Sequence, residues 1–453
     1  MYQTMRTMRI QMCEGVAESG EEACLAGNLY RYYFKAAIFF VLSAGASWGA
    51  WILLRIGMGG SYTGTVSLAH INSHGHVMIF GWVILFMMGF GYRVLPGMWR
   101  VDLYKPGLGM RCLGLMVVGI LGRMLGIGFD LGGAGLGVMV LASVAEVCGI
   151  SIFIYQLYQT FDRSDRRVSP WVGFVGMGFF WMWVQGVYGA WHFYQLKTLE
   201  GDALLSAVAT YQAPLRDMQV HGMALCFILG VGLRFFPGMF DVKGVNRKRG
   251  WGIWGLINGS VFLEVVLFLV YRTTGSHFYA GLLMLPWLGL FGGCVLYVWG
   301  RDFWSRGESE SGHVRYIRMG FAWLILSMVM LLLLPVYQVV SHIKFSHAYY
   351  GAIRHAITVG FITQVILGVC IQLIGKINGL WGAGHVLDRW MWYPFVLLNV
   401  GCFLRVVLQV ATDWHALGFT WVGVSGIFEV SGITIWAVMM FSWMKRGRAL
   451  GVC

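Results

Sequence analysis

Ser73–Met98 reads SHGHVMIFGWVILFMMGFGYRVLPGM. From Val77 to Tyr92 it carries no charged side chain, and with its flanks it is long enough to cross a bilayer's hydrocarbon core as a helix. Two imidazoles, His74 and His76, stand at the start of the apolar run. A polar ring at that depth is costly unless it is bonded or coordinated. Working outward, eleven more segments of the same kind are found. The twelve predicted spans are 35–57, 75–97, 107–129, 132–157, 170–193, 217–239, 250–271, 277–300, 316–340, 349–374, 388–411 and 418–444. The fold class expected is an all-α integral membrane protein of about twelve transmembrane helices. Residues 1–34 are read as a polar cytoplasmic segment, 35–444 as the membrane domain and 445–453 as a basic cytoplasmic tail.

The composition agrees. Hydrophobic residues make up 58% of the 453 and charged residues 12%, against about 25% charged in a soluble protein. Disorder, a disulfide scaffold and a secreted enzyme are excluded on the same grounds. A net charge of +13 does not point to nucleic acid, because the basic residues sit in short loops between apolar runs. There are nine cysteines and no C-x-x-C, which excludes a zinc knuckle and covalent c-type haem attachment. Residues 1–34, with Glu14, Glu18, Glu21 and Glu22, lack the apolar core and cleavage site of a signal peptide. Placing the N-terminus inside puts 23 of the 33 Lys and Arg on inner loops and tails, five at outer ends and five within spans. That bias predicts an even number of spans with both termini cytoplasmic.

With this topology ten of the twelve histidines fall at or near outer span ends, among them His192, His347 and His415. Interfacial placement accounts for most such rings. His76, His221 and His355 are different, because they begin spans 2, 6 and 10 within apolar sequence, and imidazole is the commonest metal and haem ligand. They lie 145 and 134 residues apart. Span 2 ends GFGYRVLPGMW (Gly89–Trp99) and span 6 GVGLRFFPGMF (Gly230–Phe240), while Gly368 follows His355 by thirteen residues as Gly89 follows His76. Three diverged four-helix units are expected. Arg123, Arg354 and Arg405 lie in outer halves of spans and require anions, either haem propionates or buried carboxylates. Glu146, Glu264 and Glu429 could relay protons or simply hydrogen-bond.

Ser73–Met98 resembles helix 2 of the haem–copper oxidase subunit I superfamily, which supplies an axial histidine to a haem. The same H-x-H-x-M-x-F-G segment (His74–Gly81) is similar to the NnrS family, haem- and copper-containing membrane proteins linked to nitric oxide metabolism. RHAITVGF (Arg354–Phe361) and LNVGCFLRVV (Leu398–Val407) resemble that family too. The departures favour NnrS over a respiratory oxidase. Span 7 holds no histidine, Leu225 stands where the cross-linking tyrosine is expected, and Ile353 stands where helix 10 would carry its second histidine.

The resemblance implies a bacterial inner-membrane, multi-pass protein of nitric oxide or nitrosative-stress metabolism, with haem b and copper as cofactors. Its partners would be nitric oxide or another small gas, the lipid bilayer and an electron donor. The axial ligands expected are His355 with His76 or His74. Residues i and i+2 of a helix point about 200° apart, so His74 and His76 cannot both face one iron; the oxidase alignment selects His74 and burial selects His76. Copper would use His221 with His192, His347 or His415. Slow chemistry on nitric oxide, with little oxygen reduction, is expected. The rival readings are an oxidase or nitric oxide reductase subunit with a remodelled metal site, and a haem-free transporter whose midplane Glu and Arg carry its substrate.

Overall fold

A computed structural model describes residues 20–62, 64–129, 131–240, 242–305, 312–344, 346–379 and 385–449. Eleven of its helices are long and apolar enough to cross a membrane: α1 (Glu22–Gly59), α2 (Leu68–Trp99), α3 (Gly107–Gly128), α4 (Gly133–Asp162), α6 (Gly201–Met239), α7 (Arg247–Thr274), α8 (His277–Val298), α9 (Gly312–Leu332), α10 (His347–Ile377), α11 (Trp390–Ala411) and α12 (Leu417–Lys445). Between α4 and α6 lies α5 (Pro170–Thr198), 29 residues long. Its low hydropathy reflects tryptophan and tyrosine rather than charge, since Lys197 is its one Lys, Arg, Asp or Glu. The protein is an all-α, multi-pass membrane protein, and no strand occurs among the described residues.

Two helices start earlier than the apolar windows suggest. The first begins at Gly20, so the boundary drawn at residue 34 falls inside it, and Leu29, Tyr30, Tyr33 and Phe34 are buried. Helix α6 begins at Gly201, not 217, and its 39 residues reach roughly 58 Å at 1.5 Å per residue. Both extensions are amphipathic, so a hydropathy average misses them while helix periodicity does not.

Burial separates the helices into two shells. In α2, α6 and α10, 89%, 67% and 94% of the most apolar stretch is buried, against 39–56% in the other eight. The outer helices form a closed ring: α3 packs on α4, α4 on α5, α7 on α8, α8 on α9 and α11 on α12, and α12 returns to pack on α1. Trp82 Nε1 on α2 donates to Thr363 Oγ1 on α10 at 3.2 Å, a polar tie between two inner helices.

The three inner helices share one irregularity. Each contains an eight-residue π-helical stretch, Val77–Ile84, Met218–Leu225 and Ala356–Thr363, starting 141 and 138 residues apart. Such stretches are rare and concentrate at functional sites. The fifth residue of each is glycine, and a Cβ there would meet Phe40 at 2.7 Å (Gly81), Trp181 at 2.6 Å (Gly222) or Trp323 at 2.6 Å (Gly360). These aromatics lie on α1, α5 and α9, so each unit repeats the same close crossing of its first two helices. The expected three four-helix units are therefore seen in backbone geometry. Gly222→Leu or Gly360→Leu should lower stability by about 1–3 kcal/mol through overpacking, read as an earlier thermal loss of the monodisperse peak in detergent. Leucine at Gly114, where a Cβ meets nothing within 4 Å, should have little effect.

On the axis between the inner helices lies a wholly apolar cavity of about 40 Å³. Its wall repeats in threes, with Phe86, Phe227 and Val365 in one layer and Met87, Ile228 and Ile366 in the next.

Candidate functional site

The π-helical register fixes which residues are equivalent. Immediately before the three stretches stand His76, Asp217 and His355. His221, paired with His76 and His355 on sequence, is instead the fourth residue of its stretch and corresponds to Phe80 and Val359. On the third helix of each unit Arg123, Glu264 and Arg405 fall 141 residues apart. On the fourth, Glu146, Trp287 and Glu429 match. One framework therefore presents three different sets of side chains toward the inner helices.

In the first unit the set is closed upon itself. Arg123 Nη1 donates to Glu146 Oε2 at 2.5 Å, and Glu146 Oε1 lies 2.8 Å from His76 Nε2. The three side chains have no exposed surface. Phe80 and Phe193 wall them in, with the Arg123 guanidinium 4.4 Å from the centre of the Phe193 ring. Glu146 therefore already supplies the anion that Arg123 requires. His76 turns Nε2 to that carboxylate, while its Nδ1, also enclosed, has no hydrogen-bond partner among the described residues.

The third unit is open. His355 Nδ1 lies 2.9 Å from the Gly351 carbonyl oxygen. On α2, His74 Nδ1 lies 3.0 Å from the Gly45 carbonyl oxygen. Gly45 ends a π-helical turn in α1 and departs from helical geometry, with ψ −107°, which frees its carbonyl for the histidine. Both rings are half-buried, each feels the charge of Arg405, and His74 is an electrostatic neighbour of His355. A ring whose Nδ1–H is held by a carbonyl presents a lone pair at Nε2, the tautomer that metal-ligating histidines adopt. Neither Nε2 has a protein partner among the described residues.

Arg405 is a charge neighbour of both rings and Arg216 of His74. Arg216, Arg354 and Arg405 form no ion pair among the described residues. Arg405 is buried, and its Nε and Nη1 have no hydrogen-bond partner there. Glu429 is a charge neighbour of Arg405 but does not pair with it. Arg216 Nη1 donates to Gln219 Oε1 at 2.9 Å, and a Cβ on Gly75 would lie 2.8 Å from its Nη2.

The middle unit gathers acids. His221 Nδ1 is 2.9 Å from Glu264 Oε2, and Trp287 Nε1 donates to Glu264 Oε1 at 2.9 Å. Asp217 joins them, with one donor atom from each of Asp217, His221 and Glu264 within 4.8 Å of the others. This is the one such group of three among the described residues. Of the residues expected to hold copper, His221 alone belongs to it. His192 is buried beside Phe193 at a ring distance of 6.0 Å, and His347 and His415 are exposed.

Sequence reading missed Arg216 and Asp217. Both lie at a predicted span end and looked interfacial. The signal available was the glycine spacing: Gly81, Gly222 and Gly360 align Asp217 with His76 and His355.

The sequence profile of the NnrS protein family matches residues 27–448. The chain belongs to the NnrS family. The match spans all twelve helices of this NnrS chain, including all three variants of the repeated framework. No curated protein matches it.

Proposed function

We propose that this NnrS-family protein is a haem protein of nitric oxide or nitrosative-stress metabolism, seated in the bacterial inner membrane. His74 and His355 would hold haem b, with Arg216 and Arg405 as partners for its propionates. The family points to nitric oxide. The observation that carries the haem reading is the pair of imidazoles whose Nδ1 atoms are fixed on backbone carbonyls and whose Nε2 atoms have no protein partner. The donor set and charge both fit: two neutral nitrogens for the iron, and unpaired guanidiniums suited to bidentate carboxylate binding. When bound, reduced haem iron would supply the centre that takes up nitric oxide. The chain's own work is to hold two ring orientations, balance the propionate charge and keep water out by close packing.

A visible spectrum of the purified protein tests this. A Soret band, a haem b pyridine haemochrome, loss of haem on denaturing gels and a spectral shift when nitric oxide is added to the reduced protein are expected. A colourless preparation from haem-replete cells would overturn it. Gly49→Ala gives a finer check. A Cβ there would lie 2.5 Å from His74 Cε1, so the ring must move, and haem per protein should fall more than twofold.

A further inference from the structure

We infer that Asp217, His221 and Glu264 form a binding site for one divalent cation of the manganese-to-zinc group, separate from the His74–His355 pair. The three donors come from two elements, α6 and α7, and lie within 4.8 Å of one another. Bonds of about 2.0–2.2 Å to nitrogen and oxygen need donors slightly closer than that, a contraction that side-chain rotation supplies. The cation takes the place of the proton now shared by His221 Nδ1 and Glu264 Oε2.

The repeat makes the site specific to the middle unit. Where the flanking units carry His76 with Arg123 and His355 with Arg405, this unit carries Asp217 with Glu264. Its fourth helix contributes Trp287 in place of a glutamate. Arg216, the arginine next to Asp217 on α6, is turned to Gln219 and Gly75 and pairs with neither acid, and carboxylates within a membrane span need a counter-charge. Arg354 and Tyr350 on α10 are the further groups within electrostatic reach. One arginine cannot neutralise both acids, whereas one divalent cation does. The Asp217 carboxylate has no hydrogen-bond partner among the described residues and is only half-buried, so it is free to ligate. Trp287 already orients Glu264 through its other oxygen, the outer support that metal-bound carboxylates have. Two carboxylates and one imidazole suit manganese, iron(II) or zinc and disfavour copper(I), which prefers sulfur.

The full-length protein, purified in detergent and stripped with chelator, would be dialysed against manganese(II) chloride. Bound metal would be counted by mass spectrometry and observed by electron paramagnetic resonance. About one manganese per chain is expected. Asp217→Asn and Glu264→Gln should each weaken binding on the order of 10-fold or more, as loss of an outer support alone does. His192→Ala and His347→Ala should bind like wild type. Trp287→Phe keeps all three donors and should weaken binding less than either ligand change. It decides the matter if the ligand variants do not fold.

Absence of bound manganese, or equal binding by wild type, Asp217→Asn and Glu264→Gln, would overturn the site and leave Arg354 and a proton as the counter-charges. Loss of binding in His192→Ala alone would overturn it too. The Soret band reports on His74 and His355 independently, so either reading can fail without the other.

Discussion

Alanine at His355 or at His74 is expected to remove the Soret band, lowering haem per protein on the order of 10-fold or more, since an axial ligand counts for at least as much as an outer-shell partner. Alanine at His76 is expected to leave the band in place. The distinction comes from what each ring already touches. His76 has Nε2 2.8 Å from Glu146 Oε1 and no exposed surface, so that its one unpartnered nitrogen, Nδ1, is wholly enclosed, whereas His74 and His355 are half-buried rings anchored through Nδ1 with Nε2 unpartnered. The three variants measured side by side, with haem normalised to monodisperse protein, check this. Haem lost in His76→Ala and kept in His74→Ala would reverse the assignment.

Glu146→Ala is expected to have the largest effect on stability. Its carboxylate bridges Arg123 and His76 with no solvent contact. Removing one partner of a buried pair strands the other charge, at a cost of about 3–5 kcal/mol. The variant should express poorly and lose its folded peak at a markedly lower temperature. Arg123→Met combined with Glu146→Gln removes both charges while keeping most of the volume, and should recover much of the loss. If the double variant is no better than Glu146→Ala, the bridge is not what makes Glu146 matter. Neither change touches His74 or His355, so folded Arg123→Met/Glu146→Gln protein should still take up haem.

The number of helices was legible in sequence because charge is so sparse between the loops. Even α5, poor in hydropathy, is recognisable by its single basic residue. The early starts of α1 and α6 were not legible, because amphipathic turns average to a neutral hydropathy. The different setting of His74 and His76 was beyond sequence for a different reason. It depends on the irregular turn at Gly45 of another helix, whose carbonyl meets one ring, and on Glu146 two helices away, which takes the other. The pairing of Arg123 with Glu146 likewise depends on the rotational setting of α3 against α4. The sequence shows both charges without their alignment. Asp217 was legible in principle: aligning the repeat on glycines finds it, and aligning on histidines hides it.

The ring closes where α12 packs on α1, at small residues: a Cβ on Gly426 would lie 2.9 Å from Ala50, and one on Gly57 would lie 2.9 Å from the Phe419 carbonyl oxygen. This seam joins α1 to a helix made long after it. During synthesis, at about 5–20 residues per second, the 281 residues separating His74 from His355 take roughly 15–55 s to appear. Through that interval α1 has no α12 beside it, and its seam face meets lipid or whatever insertion machinery shelters it. His74 waits as long for its partner, and Arg405 arrives later still. The two histidines therefore come together only late in the life of the chain, and the order of assembly is written into the order of the helices.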